Sequence, residues 1–134
     1  GGNEGFSIGG TACCGSAWSR RYAGLVGSMM NRYRQGGGAA VYWFLIPTPS
    51  SPAFVSLVHA VNLGITLAAS RFPDGVHAFD LRPTFSPGGR YAERIVYHGQ
   101  DVAIHESDGF HLSAAADLIV ARLFIARLHQ DGVL

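Results

Sequence analysis

The chain has 134 residues, ten basic and nine acidic side chains, a formal net charge of +1 and an apolar fraction of 48%. That length bounds a single domain, and arginines scattered from Arg20 to Arg127 supply no clustered basic face of the kind nucleic acid requires. No run reaches the roughly 20 consecutive apolar residues of a membrane helix.

After a glycine-rich opening, Trp18, Tyr22, Leu25, Met29 and Tyr33 recur at helical spacing, which predicts a helix over residues 17–35 ended by Gly36-Gly37-Gly38. Residues 39–46 are apolar on both faces, with Tyr42, Trp43 and Phe44 at the centre, as expected of a parallel strand covered by helices on each side. The proline-rich loop over residues 47–52 then lies at the carboxyl end of that strand, the edge at which open α/β sheets bind ligands.

Phe54, Leu57, Val58, Val61, Ile65 and Ala68 mark a second amphipathic helix ending near Arg71, with Gly64 in its interior. Pro73-Asp74-Gly75 turns into a short strand over residues 76–80. From 81 to 107 no helical period is present, and Pro83, Pro87, Gly88 and Gly89 argue against one. Within that stretch, residues 95–97 and 102–104 flank His98-Gly99-Gln100-Asp101 as a small β-hairpin. A final helix over residues 114–129 is apolar nearly all round and is expected to pack tightly on the sheet. The alternation of strand and helix predicts an α/β fold with a parallel sheet.

Cys13 and Cys14 are neighbours; a bridge between them is strained, so they are expected as free thiols or with one paired to a cysteine elsewhere. His59 and His77 read as hydrogen-bonded structural histidines, and His129 as a C-terminal helix residue that favours the dipole.

The chemistry concentrates in Asp108-Gly109-Phe110-His111-Leu112-Ser113, just ahead of the last helix. An acid and a histidine on one tight turn can sit side by side, the carboxylate on one ring nitrogen and the other nitrogen free to take a proton. Ser113 is a good N-cap for the helix that follows.

Asp-x-x-His near the C-terminus, with Gly-Gly-Asn-Glu far upstream, resembles the SGNH (GDSL-type) hydrolase superfamily. In that family the Asp-x-x-His block supplies two triad partners of a serine, and a Gly-x-Asn-Asp block supplies an oxyanion-hole asparagine. Asp108 and His111 match the first; Gly2 and Asn3 resemble the second, with Glu4 where the family has Asp.

The resemblance spans essentially the whole chain. It implies a three-layer α/β/α sandwich with a parallel, flavodoxin-like sheet, here incomplete, so that residues 1–134 form the C-terminal part of a single domain. No Gly-Asp-Ser occurs, and the nucleophile block is expected upstream. The implied activity is serine ester hydrolysis through an acyl-enzyme, with His111 as general base, Asp108 orienting it and Asn3 donating to the oxyanion. No cofactor is implied. The substrate is a small-molecule, lipid or glycan ester. Gly2 and Asp80 are candidates for substrate contact, with Asp80 alternatively bracing its own loop, and the missing segment or a partner chain is a candidate partner.

Three alternatives compete. Gly5-Phe6-Ser7-Ile8-Gly9 spells the Gly-x-Ser-x-Gly elbow of α/β-hydrolases with Ser7 as nucleophile, although the small residues after it make a poor helix. His105, Asp108 and His111 are spaced as potential zinc ligands. A degenerate, non-catalytic binding domain is the third.

Overall fold

A computed structural model describes residues 5–134. In chain order these form α1 (Ser16–Tyr33), β1 (Val41–Leu45), α2 (Pro52–Ala69), β2 (Val76–Asp80), α3 (Arg82–Phe85), β3 (Arg94–Tyr97), β4 (Gln100–Ala103) and α4 (Ala114–Gln130), with 3₁₀ turns at Gln35–Gly37 and Pro87–Gly89. β1 and β2 pair in parallel, in register from Val41 opposite Val76 to Leu45 opposite Asp80.

Side-chain alternation divides the sheet between two cores. Val41 and Leu45 of β1 and Val76 of β2 face α1 and α2, where they join Trp18, Met30, Val61 and Ile65. On the opposite face Tyr42, Phe44 and Phe79 all meet Phe124 of α4, with ring centroids 5.2 to 5.6 Å apart. The molecule is therefore an α/β sandwich with a short parallel sheet between helical layers, as expected, and compatible with an incomplete one: among the described residues that sheet has two strands.

The α1–α2 crossing depends on small residues. A Cβ on Gly64 would stand 2.7 Å from Tyr22 Cδ1 and 3.0 Å from the Ser19 carbonyl oxygen. The glycine that looked like a flaw in the helix is thus what lets the two helices approach. At the carboxyl end of β1 the buried Asn62 side chain works as a strand would: its Oδ1 accepts from Ile46 N at 2.9 Å and its Nδ2 donates to Ile46 O at 2.8 Å.

Several expectations are corrected. Cys13 and Cys14 are bonded to each other across a cis peptide. A helical turn does form after β2, because Pro83 occupies the first turn of α3, where its missing N–H costs nothing. α4 is not tightly packed all round: only Ala116 and Ile119 are buried, while Leu118 is 64% and Ile125 49% exposed. Two strands about 4.8 Å apart make a platform too narrow to cover a helix about 10 Å across.

Two histidines also differ from expectation. His59 is exposed on α2, and His77 is held by stacking on Tyr42 at 4.7 Å rather than by a hydrogen bond. α2 has mean hydropathy 1.6 over 18 residues and passes the length and composition test for a membrane span, which the sequence reading did not anticipate. Half of it is buried inside the molecule, the signature of a core helix.

The hairpin forms as expected but with a tighter loop: β3 and β4 pair from Arg94 opposite Ala103 to Tyr97 opposite Gln100. His98 and Gly99, with φ of 49° and 77°, make the two-residue turn whose twist matches the strands.

Replacing Gly64 with Ala should destabilise the fold by about 1–2 kcal/mol in urea unfolding. The overpacking cost of about 1–3 kcal/mol outweighs the helix-propensity gain of up to about 1 kcal/mol. A stabilised variant would mean that α1 yields freely. Because among the described residues nothing pairs with the second edge of β1, beside an open groove lined by Tyr22, Trp43, Phe44 and Ile46, the chain should self-associate with rising concentration in sedimentation velocity. A stable monomer that unfolds reversibly would contradict this.

Candidate functional site

The segment between the hairpin and α4 is tied down at every step. Glu106 N donates to His111 O at 2.8 Å, Gly109 N to Glu106 O at 2.9 Å and Ser113 N to Ile104 O at 3.1 Å. Ser113 fulfils its expected role: its Oγ accepts from Ala116 N at 3.1 Å and donates to Ala103 O at 2.7 Å. The turn therefore leaves a strand and enters a capped helix with little slack.

On that frame Asp108 gathers the donors of its own turn. Oδ1 accepts from Phe110 N at 2.9 Å and from His111 N at 3.0 Å, while Oδ2 lies 2.6 Å from His111 Nδ1. The His111 ring holds the Asp108 carboxyl well below the usual carboxylate range, at about 2, with the two backbone N–H groups assisting. With Nδ1 donating to the carboxylate, the neutral ring carries its lone pair on Nε2. The His111 side chain is 75% exposed, so that nitrogen is open to approach.

Gly109 fixes where the pair sits on the fold. Its φ is +65°, and where a Cβ would stand the Ser50 side chain already sits, with the Tyr91 hydroxyl 3.4 Å away. Ser50 N donates to Gly109 O at 3.0 Å. The site turn is thus docked on the loop that follows β1, at the carboxyl edge of the parallel sheet. Thr48 on the same loop receives the Ser86 hydroxyl as acceptor for its N–H at 2.7 Å and donates its own hydroxyl to Gly89 O at 3.1 Å, which brings in the segment after β2.

Asp80 also lies at this edge, and its carboxylate is fully engaged. Oδ1 accepts from Arg82 N and Nε at 2.9 and 2.8 Å, and Oδ2 from Arg82 Nη2 at 2.7 Å. The guanidinium holds the Asp80 carboxyl below its ordinary value. This is the bracing geometry. Gly2 and Asn3 lie outside the described residues.

The competing chemistries do not assemble. Ser7 is in an exposed irregular stretch followed by the Ile8–Thr11 bridge, and the next helix begins at Ser16, whereas an elbow serine is followed directly by a helix. Among the described residues no three His, Cys, Asp or Glu side chains converge on a common point. His105 is buried with Nδ1 3.0 Å from Ala92 O and its ring against Tyr91, so it does not join Asp108 and His111. Burial pushes the His105 imidazole below its ordinary value.

The sequence reading placed the loop over residues 47–52 at the binding edge but missed Ser50 and Tyr91 as the supports of Gly109. The one available signal was the glycine after Asp108.

The Asp108 carboxyl should titrate at about 2. Since folding depresses that value from about 3.9, the stabilisation it gives the turn is complete above about pH 4 and is lost as pH falls toward 2. Carbon-13 NMR of the carboxyl should show the midpoint rising toward the ordinary value in His111→Ala. An unmoved midpoint would mean that the ring does not govern it.

No curated protein matches the chain. A family match runs over residues 9–127, taking in both parallel strands, the hairpin, the Asp108–His111 turn and most of α4. The chain belongs to the family described as protein of unknown function (DUF459).

Proposed function

We propose that this chain carries the acid–base half of a serine ester hydrolase, with the attacking hydroxyl supplied by polypeptide outside it. The observation that carries the reading is the 2.6 Å contact of Asp108 Oδ2 with His111 Nδ1 on an exposed, hydrogen-bonded turn at the carboxyl edge of the sheet. A carboxylate so placed fixes the ring's tautomer and stabilises the imidazolium when it forms.

In this mechanism His111 Nε2 takes the proton from a serine hydroxyl as its oxygen attacks the ester carbonyl carbon. The tetrahedral adduct collapses, the carbon–oxygen bond to the alcohol breaks, and the proton passes from His111 to the departing alkoxide. Water then attacks the acyl-serine, His111 taking its proton and returning it to the serine oxygen as the acid is released. Asn3 donates its side-chain amide to the oxyanion, a contact worth on the order of 10²- to 10³-fold in rate. Gly2 is assigned to substrate contact by the family resemblance alone, whereas Asp80 is taken up by Arg82 and braces its own loop. The substrate is an acyl ester of a small molecule, lipid or glycan.

In the polypeptide that carries this chain, His111→Ala should remove most ester turnover, and Asp108→Asn should lower it by on the order of 10⁴-fold. Both side chains are exposed enough that the circular dichroism spectrum should be preserved. Labelling with a fluorophosphonate should depend on His111 in the same way. Turnover unchanged in His111→Ala refutes the reading.

A further inference from the structure

Two phenylalanines lie beside the candidate base without serving either core, one in contact with its ring and the other in contact with the first. Phe54, in the first turn of α2, is 43% exposed, whereas Leu57, Val58, Val61 and Ile65 of the same helix are buried. Its ring meets that of Phe110 at 5.4 Å and 60°, and Phe110 in turn meets the His111 ring at 5.5 Å and 74°. Neither Phe54 nor Phe110 belongs to the two hydrophobic clusters of the fold. Exposed aromatic surface forgoes burial, and here it is held in place: the N–H of Phe110 is bound to Asp108, the carboxylate that orients the base.

Resting on the ester-hydrolase reading, we propose that Phe54 and Phe110 form the subsite for the leaving alcohol, selecting an uncharged alcohol that presents an apolar ring face. The argument is positional. In that chemistry His111 hands its proton to the departing alkoxide, so the alcohol oxygen comes within about 2.6–3.2 Å of Nε2. The carbon skeleton attached to that oxygen then lies beside whatever flanks the imidazole, while the acyl carbon is bonded to the serine and directed at the oxyanion donors. The Phe54–Phe110 pair has the spacing at which a third ring can add edge or face contacts. Ser50, the side chain docked against Gly109 just before Phe110, is neutral, and the charge of Asp108 is already engaged.

The test that needs no turnover is an NMR titration of the chain with benzyl alcohol, following the ring carbons of Phe54, Phe110 and His111, with 2-propanol as the ringless control. The expected result is a saturable shift of all three rings by benzyl alcohol. Binding should weaken about fivefold in Phe54→Ala, the magnitude of one lost aromatic contact, and be partly restored in Phe54→Leu. Non-saturable shifts, equal affinity for 2-propanol, or unchanged affinity in Phe54→Ala overturn the subsite.

Kinetics in the carrying polypeptide separate the two levels. A benzyl to methyl acetate ratio of kcat/KM that falls in Phe54→Ala, while the butyrate to acetate ratio stays fixed, supports the alcohol-side assignment. Loss of turnover in His111→Asn with an unmoved benzyl to methyl ratio in Phe54→Ala overturns the subsite alone. Turnover that survives in His111→Asn overturns both.

Discussion

One close contact decides where the Asp108–His111 pair sits on this molecule. Gly109 accepts a hydrogen bond from Ser50 N at 3.0 Å and leaves the Ser50 side chain the space its own Cβ would fill. A left-handed backbone with no side chain is a requirement that glycine meets at little cost, and without it the turn could not lie flat against the loop after β1. Asp108, just before that glycine, and His111, two residues after it, are thereby delivered to the carboxyl edge of the parallel sheet. The hydrogen bonds that Asp108 accepts from Phe110 and His111 then set the conformation of the turn itself. Position comes from one contact and orientation from the other, and neither draws on the hydrophobic core.

The narrowness of the sheet explains much of the remaining surface. A pair of strands gives α1 and α2 a shared apolar floor, and the close crossing at Gly64 completes that half. The other half is thinner. Phe124 bridges Tyr42, Phe44 and Phe79, and beyond it the apolar residues of α4 run out of partners. A fold whose helices are more apolar than its sheet is wide keeps uncovered hydrophobic surface, here on the outer sides of α1, at Leu25, Met29 and Tyr33, and of α4, at Leu118 and Ile125.

What the sequence disclosed and what it hid follow the range of the interactions involved. The strand Val76–Asp80 was legible to the residue, because Pro73-Asp74-Gly75 marks its start and a parallel, buried strand is written as a short apolar run. α1, α2 and β1 were legible within a few residues from periodicity alone. The acid–histidine contact was legible too, since a three-residue separation on a tight turn is local geometry. Hidden were features set by distant residues: Ser50 against Gly109, Asn62 closing the end of β1, and the exposure of α4, which depends on how many strands lie beneath it. The Cys13–Cys14 bond ran against a local strain argument, and α3 formed because Pro83 fell in a first turn, where the usual objection to proline lapses.

The far end of α4 has its own fastening. Tyr42 donates its hydroxyl to Asp131 Oδ2 at 2.6 Å, and Arg127 Nε reaches the same oxygen at 2.7 Å. The hydrogen bond from Tyr42 is the main reason that the Asp131 carboxyl lies below its ordinary value. The helix that begins at the candidate site is thus moored twice, near its start through Ser113 and the docked turn, and near its finish through Arg127 and Asp131 clasped to Tyr42 of β1. Loosening the clasp would free the tail of the helix without touching the bonds that hold the Asp108–His111 turn, so the two ends answer to different influences.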